Sequence, residues 1–254
     1  MNLTRTCRIT VGPVLILAIL DGGSAAVGEG HWRFEAKGGT TVLDSGSLGL
    51  NGTLNERPFR AANVLLDPLP QNDFVNDRSL DLGWLNESDG GFFTVEDPAG
   101  ELSFGHRSFS IEAWVKLDHV SDASSLNQRQ WLCMKKPLPA PDGELDYGFL
   151  VQAGSAGASG RELAFLYGDG EVPTTIVSTL EIADFDWHFV SVAYSQEDEA
   201  LRFGVDGSFE TVALDKPGFV LWQPVLNSGP LRVGGHQNAG GTNNQFLRGS
   251  IDEL

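Results

Sequence analysis

The chain has 254 residues and sets 17 Lys and Arg against 34 Asp and Glu, a formal net charge of −17 at pH 7. That excess of carboxylate argues against nucleic acid and against an anionic membrane surface as partners, because both are held by clustered Lys and Arg. The length suits one all-β domain whose core needs no disulfide, and the 31 glycines fit many tight turns between short strands.

Residues 1–26 read as a signal peptide. Arg5 and Arg8 precede the apolar run Val11–Leu20, which is too short to span a bilayer, and Ser24, Ala25 and Ala26 supply the small residues expected before a cleavage after Ala26. The mature domain, residues 27–254, is therefore expected to be secreted, periplasmic or at the cell surface, with no membrane insertion. Cys7 leaves with the leader. Cys133 then stands alone and reads as a small buried apolar residue without a disulfide partner.

Along the mature chain, His31–Glu35 predicts a first strand with Trp32 and Phe34 on one face. A Gly-, Ser- and Asn-rich loop follows over Asp44–Leu54. Between Asn55 and Asn86 the pattern is weak and reads as loops and a short strand, and Gly91–Val95 predicts a strand ended by Asp97-Pro98. The clearest element is Ser108–Leu117, where Phe109, Ile111, Ala113, Val115 and Leu117 alternate with Ser110, Glu112, Trp114 and Lys116. Leu132–Lys135 predicts a strand, Lys136–Gly143 a Pro-rich excursion, and Asp146–Gln152 with Glu162–Tyr167 a hairpin. A second hairpin joins Asp186–Tyr194 to Leu201–Val205, and Asp206-Gly207 is a type I′ turn signal leading to Phe209–Val212. Leu231–Gly235 and Gly249–Leu254 complete the alternating segments. With no helical periodicity, no fixed-period repeat and no linker, the chain predicts one all-β domain, an antiparallel two-sheet jelly-roll sandwich.

Four motifs in this order resemble the laminin G-like jelly rolls of the concanavalin A-like lectin and glucanase superfamily. They are His31-Trp32 through Asp44-Ser45-Gly46 to Gly52-Thr53-Leu54, then Ser108–Lys116, then Trp187–Gly207, and finally Leu231–Glu253. The family pattern usually continues past Ile-Asp-Glu into a last strand. The resemblance therefore implies either a piece of a longer protein or a clipped final strand. It also implies a calcium ion between the loop after the first strand and the C-terminal segment, with Asp44 and Asp252 as the matching side chains and Asn51 as a helper.

For chemistry, retaining glucanases on this fold carry alternating carboxylates of the Glu-x-Asp-x-Glu type on one strand, so that acid and nucleophile face the same side. No such run occurs. The chain is read as non-enzymatic. The five histidines show no pair at metal-ligand spacing, which argues against zinc. For glycan contact, Trp84 and Trp131 could offer aromatic faces, and Asn238, Asn243 and Asn244 lie in a polar Gly-rich loop of the kind that bonds sugar hydroxyls. The leading expectation is a secreted recognition module that binds carbohydrate or an extracellular protein surface, with calcium as its one inorganic partner. The alternatives are a structural or adhesion domain of a larger cell-surface protein and a divergent glycoside hydrolase.

Overall fold

Alternating segments with one apolar face must bury that face against another layer, and here two antiparallel sheets do so. The computed structural model defines residues 28–55, 59–61, 76–82, 90–105, 107–119, 129–152, 159–168, 172–214 and 228–254. The expected leader and Trp84 lie outside these described residues.

One sheet has eight strands. In spatial order they are β1 (Thr41–Val42), β2 (Gly52–Asn55), β5 (Phe92–Val95), β14 (Leu231–Val233), β7 (Gln130–Lys135), β8 (Tyr147–Gln152), β9 (Glu162–Tyr167) and β10 (Thr174–Glu181). The other has seven: β13 (Ser208–Ala213), β12 (Ala200–Val205), β11 (Trp187–Ser195), β6 (Phe109–Leu117), β17 (Gly249–Asp252), β4 (Ser79–Asp81) and β3 (Phe59–Ala61). A small hairpin, β15 (His236–Gln237) with β16 (Asn243–Asn244), stands apart from both.

The main core fills the space between the sheets. Val190, Val192, Phe203, Val115, Phe93, Phe149, Phe165 and Ile251 are buried there, with Phe109 and Ile111 packed against them partly exposed. β6 keeps its expected faces, since Ala113, Val115 and Leu117 are buried while Ser110 is exposed. Asp206 and Gly207 both take positive φ, 48° and 81°, as a type I′ turn requires. Cys133 is buried without a disulfide, and burial pushes its thiol up to about 12.

A second, smaller core lies on the outer face of the eight-stranded sheet, where Trp131, Met134, Leu145, Leu150, Ala164 and Leu166 pack together. For this reason β7, β8 and β9 are buried along their whole length rather than alternately. Two expectations are corrected. His31–Glu35 forms no strand but a single bridge from Trp32 to Asp44, because Phe34 turns to φ 59°. Trp32 and Phe34 still share a face, both edge-on to Phe93. Part of the expected loop is strand β2. β10, a stretch with no assigned reading in the sequence, is a full strand beside β9 with a bulge between Val177 and Glu181.

Candidate functional site

Two polar arrangements emerge, one at the chain's C-terminal strand and one on the outer face of the eight-stranded sheet. In the first, β17 lies between β6 and β4, so Ile251 faces the core and Asp252 faces out beside Trp114. Glu253 follows with φ 51°. Its carboxylate accepts from His31 Nε2 at 2.8 Å and from Arg33 Nε at 3.0 and 3.3 Å, while Trp32 N donates to the Leu254 carbonyl at 2.8 Å. The N-terminal segment is thereby stapled to the end of β17. Glu35, on that same segment, accepts from Asp77 N at 3.0 Å.

One carboxylate oxygen from each of Glu35, Asp252 and Glu253 lies within 4.8 Å of the others. Like charges this close cannot all ionise unaided. Burial, then the neighbouring Glu253 charge, raises Asp252 to about 8. Burial also raises Glu35. Burial pushes Glu253 the same way, but its hydrogen bond from His31 and the Arg33 charge outweigh it and hold its pKa below the ordinary value. Were all three carboxylates ionised, they would exceed the Arg33 guanidinium by two negative charges. Asn76 bonds Asp252 through its side chain, and its Oδ1 is buried with no hydrogen-bond partner among the described residues. Three carboxylate oxygens that a cation would help to ionise, and one orphaned neutral oxygen, form a donor set that suits a hard divalent cation such as calcium.

Asp44 is not part of this cluster. Its Oδ1 accepts from the backbone N–H of His31 and of Gly46, and its Oδ2 accepts from Leu50 N, at 2.7–2.9 Å. Asn51 Oδ1 accepts from Asp44 N. Asp44 therefore shapes the loop that carries the N-terminal segment, while Glu35 and Glu253 are the carboxylates beside Asp252.

The second arrangement rests on Trp131. Its indole is fully buried, its Nε1 donates to Gln245 Oε1 at 2.8 Å, and its ring stacks on His236 with centroids 5.0 Å apart. His236 in turn contacts Asp142 Oδ1 through Nε2 and Asn244 Oδ1 through Nδ1, both at 2.8 Å. Lys136, also buried, brings its Nζ to the same Asp142 oxygen at 2.8 Å. Burial pushes Asp142 up, but the His236 and Lys136 contacts dominate and hold its carboxyl well below the usual range.

Above this buried base sits the β15–β16 hairpin. Gln237 Nε2 donates to Asn243 Oδ1 at 3.2 Å, and Asn238 Oδ1 accepts from Gly240 N and Thr242 N at 3.0 Å, which closes the turn. Gln237, Asn238, Asn243, Asn244 and Gln245 are all half-buried, and residues 239–242 between them are exposed. The structure thus brings Trp131, Asn238, Asn243 and Asn244 into one unit. It gives Trp131 a different part from the one expected, since a ring with no exposed surface holds the hairpin from beneath and cannot stack on a sugar.

The Laminin G 3 pattern of the concanavalin A-like lectin/glucanases superfamily matches residues 89–254. The chain belongs to this family. No curated protein matches the laminin G-like chain by sequence. Among solved structures, it is similar to the binding domain of botulinum neurotoxin DC in complex with rat synaptotagmin II, at TM-score 0.53 and 13% identity over 90% of this chain and 49% of that one. It is equally similar, at TM-score 0.53 and 12% identity over 90% and 49%, to the botulinum neurotoxin type C structure whose cell entry depends on two ganglioside molecules. The chain spans about half the length of these structures, and at such identity they show the fold alone. Among the described residues no helix is long and apolar enough to cross a membrane.

Proposed function

We propose that this laminin G-like domain is a secreted, non-catalytic recognition module that binds a carbohydrate or an extracellular protein surface, with a structural calcium ion beside its C-terminal strand. The observation that carries the reading is the β15–β16 hairpin: a cluster of half-exposed Asn and Gln amides fixed from below by Trp131, His236 and Asp142. Amide groups offer both donors and acceptors, and holding them rigid lowers the ordering cost of binding a hydroxylated or peptide ligand. Relatives in fold that engage gangliosides and synaptotagmin support the idea that this framework can present either ligand class.

Glu35, Asp252 and Glu253 would hold the calcium, with Asn76 Oδ1 as a neutral ligand. The ion would supply the two positive charges that the cluster, once ionised, lacks. The protein's own part is to orient the oxygens, through His31 and Arg33 on Glu253 and Asp77 N on Glu35. Its effect would be to secure the N-terminal segment against β17.

A glycan array probed with the purified protein, with and without a chelator, tests the proposal. Saturable binding that is lost in Asn243→Ala and Asn244→Ala is expected. Absence of binding to every glycan and to candidate extracellular proteins would favour a purely structural or adhesion role, and release of reducing sugar would favour a hydrolase.

A further inference from the structure

From β13 across to β6, the outward face of the seven-stranded sheet is used by neither arrangement. Register defines it: Trp187 lies opposite Lys116, Phe189 opposite Trp114, and Ser191 opposite both Glu112 and Gly204. The same face continues through Arg202 on β12 to Phe209 on β13. Side chains along it are exposed or half-exposed from β13 across to β6, except at Ser191, Ala200 and Gly204. At β17 and β4 the face closes, since Ser250, Asp252 and Ser79 are all buried. An open strip with one closed side results.

Aromatic rings form its floor. Trp114 and Phe189 meet edge to face with centroids 5.5 Å apart, and Trp187 stands two residues before Phe189 on the same side of β11. Phe209 is 56% exposed and lies under the Arg202 guanidinium at 4.0 Å. Half-exposed aromatics on the solvent side of a sheet are costly to leave wet, and their flat apolar faces suit ligands with flat apolar faces.

The polar groups are few and under-used. Glu112 bonds Ser110, no cation lies against it among the described residues, and burial raises its pKa. Trp187 Nε1 is a buried donor with no acceptor among the described residues. On a chain of net charge −17, this strip carries Lys116 and Arg202 against Glu112, with Asp118 just past the end of β6 and Asp81 on β4 across β17. An anionic ligand would meet Glu112 near the centre with Arg202 already spent on Phe209. A cationic ligand would meet Lys116. The near-balance suits an uncharged ligand that offers hydroxyls.

We propose that this strip binds an extended neutral glycan, laid across β11 and β6 on Trp114, Phe189 and Trp187. This rests on the recognition reading above and places a second, unassigned contact face for it. The purified protein is titrated with cellohexaose, laminarihexaose and xylohexaose, and with a heparin hexasaccharide and sialyllactose, by calorimetry and tryptophan fluorescence. Saturable binding of at least one neutral hexasaccharide is expected. Trp114→Ala should weaken it roughly tenfold or more, Trp114→Phe should restore most of it, and exposed Val172→Ser should leave it unchanged. Should Trp114→Ala fail to fold, Glu112→Gln and Phe189→Leu carry the same test. Binding confined to heparin or sialyllactose, no neutral hexasaccharide bound, or wild-type affinity in the strip variants would each overturn the proposal. Binding kept in Trp114→Ala but lost in Asn243→Ala would overturn it too, while leaving the hairpin reading standing.

Discussion

Gly148 offers the sharpest test of how the hairpin is supported. It lies in β8 opposite Met134 and Leu166, and a Cβ built there would come within 2.2 Å of Trp131 Cζ3 and 3.1 Å of Cε3. The ring cannot simply swing away, because Gln245 holds its Nε1 and His236 stacks on it. Gly148→Ala must therefore overpack the outer core, at about 1–3 kcal/mol. For a domain of this size each kcal/mol moves Tm by about 2–4 °C, so a drop of roughly 2–12 °C is expected. Trp131→Ala should itself cost about 3–5 kcal/mol, but in that background the added methyl meets empty space and should cost little. A double-mutant cycle by differential scanning calorimetry should then show a coupling of about 1–3 kcal/mol. Equal effects of Gly148→Ala in both backgrounds, or none in either, would refute the account of Trp131 as the hairpin's fixed base.

Calcium at about a hundredfold its dissociation constant should stabilise the protein by about 2.7 kcal/mol, seen as a rise in Tm that Asp252→Asn and Glu253→Gln abolish; an unchanged Tm would exclude the site. Both nitrogens of His188 face carboxylates, Asp206 at Nδ1 and Asp184 at Nε2, an arrangement that favours the doubly donating imidazolium. Burial lowers its pKa, but these partners outweigh that and raise it above 6.5. The stabilisation is then full below pH 6.5 and lost as pH rises through the folded-state value, a slope that Asp206→Asn should flatten in Tm measured against pH. Lys135 and Asp97 pair at 2.7 Å with neither side chain exposed. Lys135→Met should cost about 3–5 kcal/mol in urea unfolding, because it leaves Asp97 buried and uncompensated near Asp146; a cost below 1 kcal/mol would contradict the pairing.

Much of the sandwich was legible because β6 and β11 largely bury one face, and period-2 alternation records that directly. β10 was not, since its Thr-rich sequence is partly exposed on both faces and a bulge breaks its register. The His31–Glu35 segment shows the limit of the pattern: alternation correctly paired Trp32 with Phe34, but the backbone meets that demand with a positive φ rather than a strand. At the C-terminal cluster, Asp252 could be named from the Ile-Asp-Glu ending. Glu35 and Asn76 could not, because the path of the N-terminal segment brings Glu35 there and the pairing of β4 with β17 brings Asn76. Trp131 reads in sequence like any aromatic at a strand end. Its burial depends on a hairpin more than a hundred residues later, which local pattern does not report.

The central claim is that the domain binds without turning over what it binds. Isothermal titration of the purified protein with a glycan retained on the array tests this in a single trace. A saturating isotherm that returns to baseline after each injection is the expected result. A sustained power that scales with added glycan, as continuing hydrolysis produces, would contradict it.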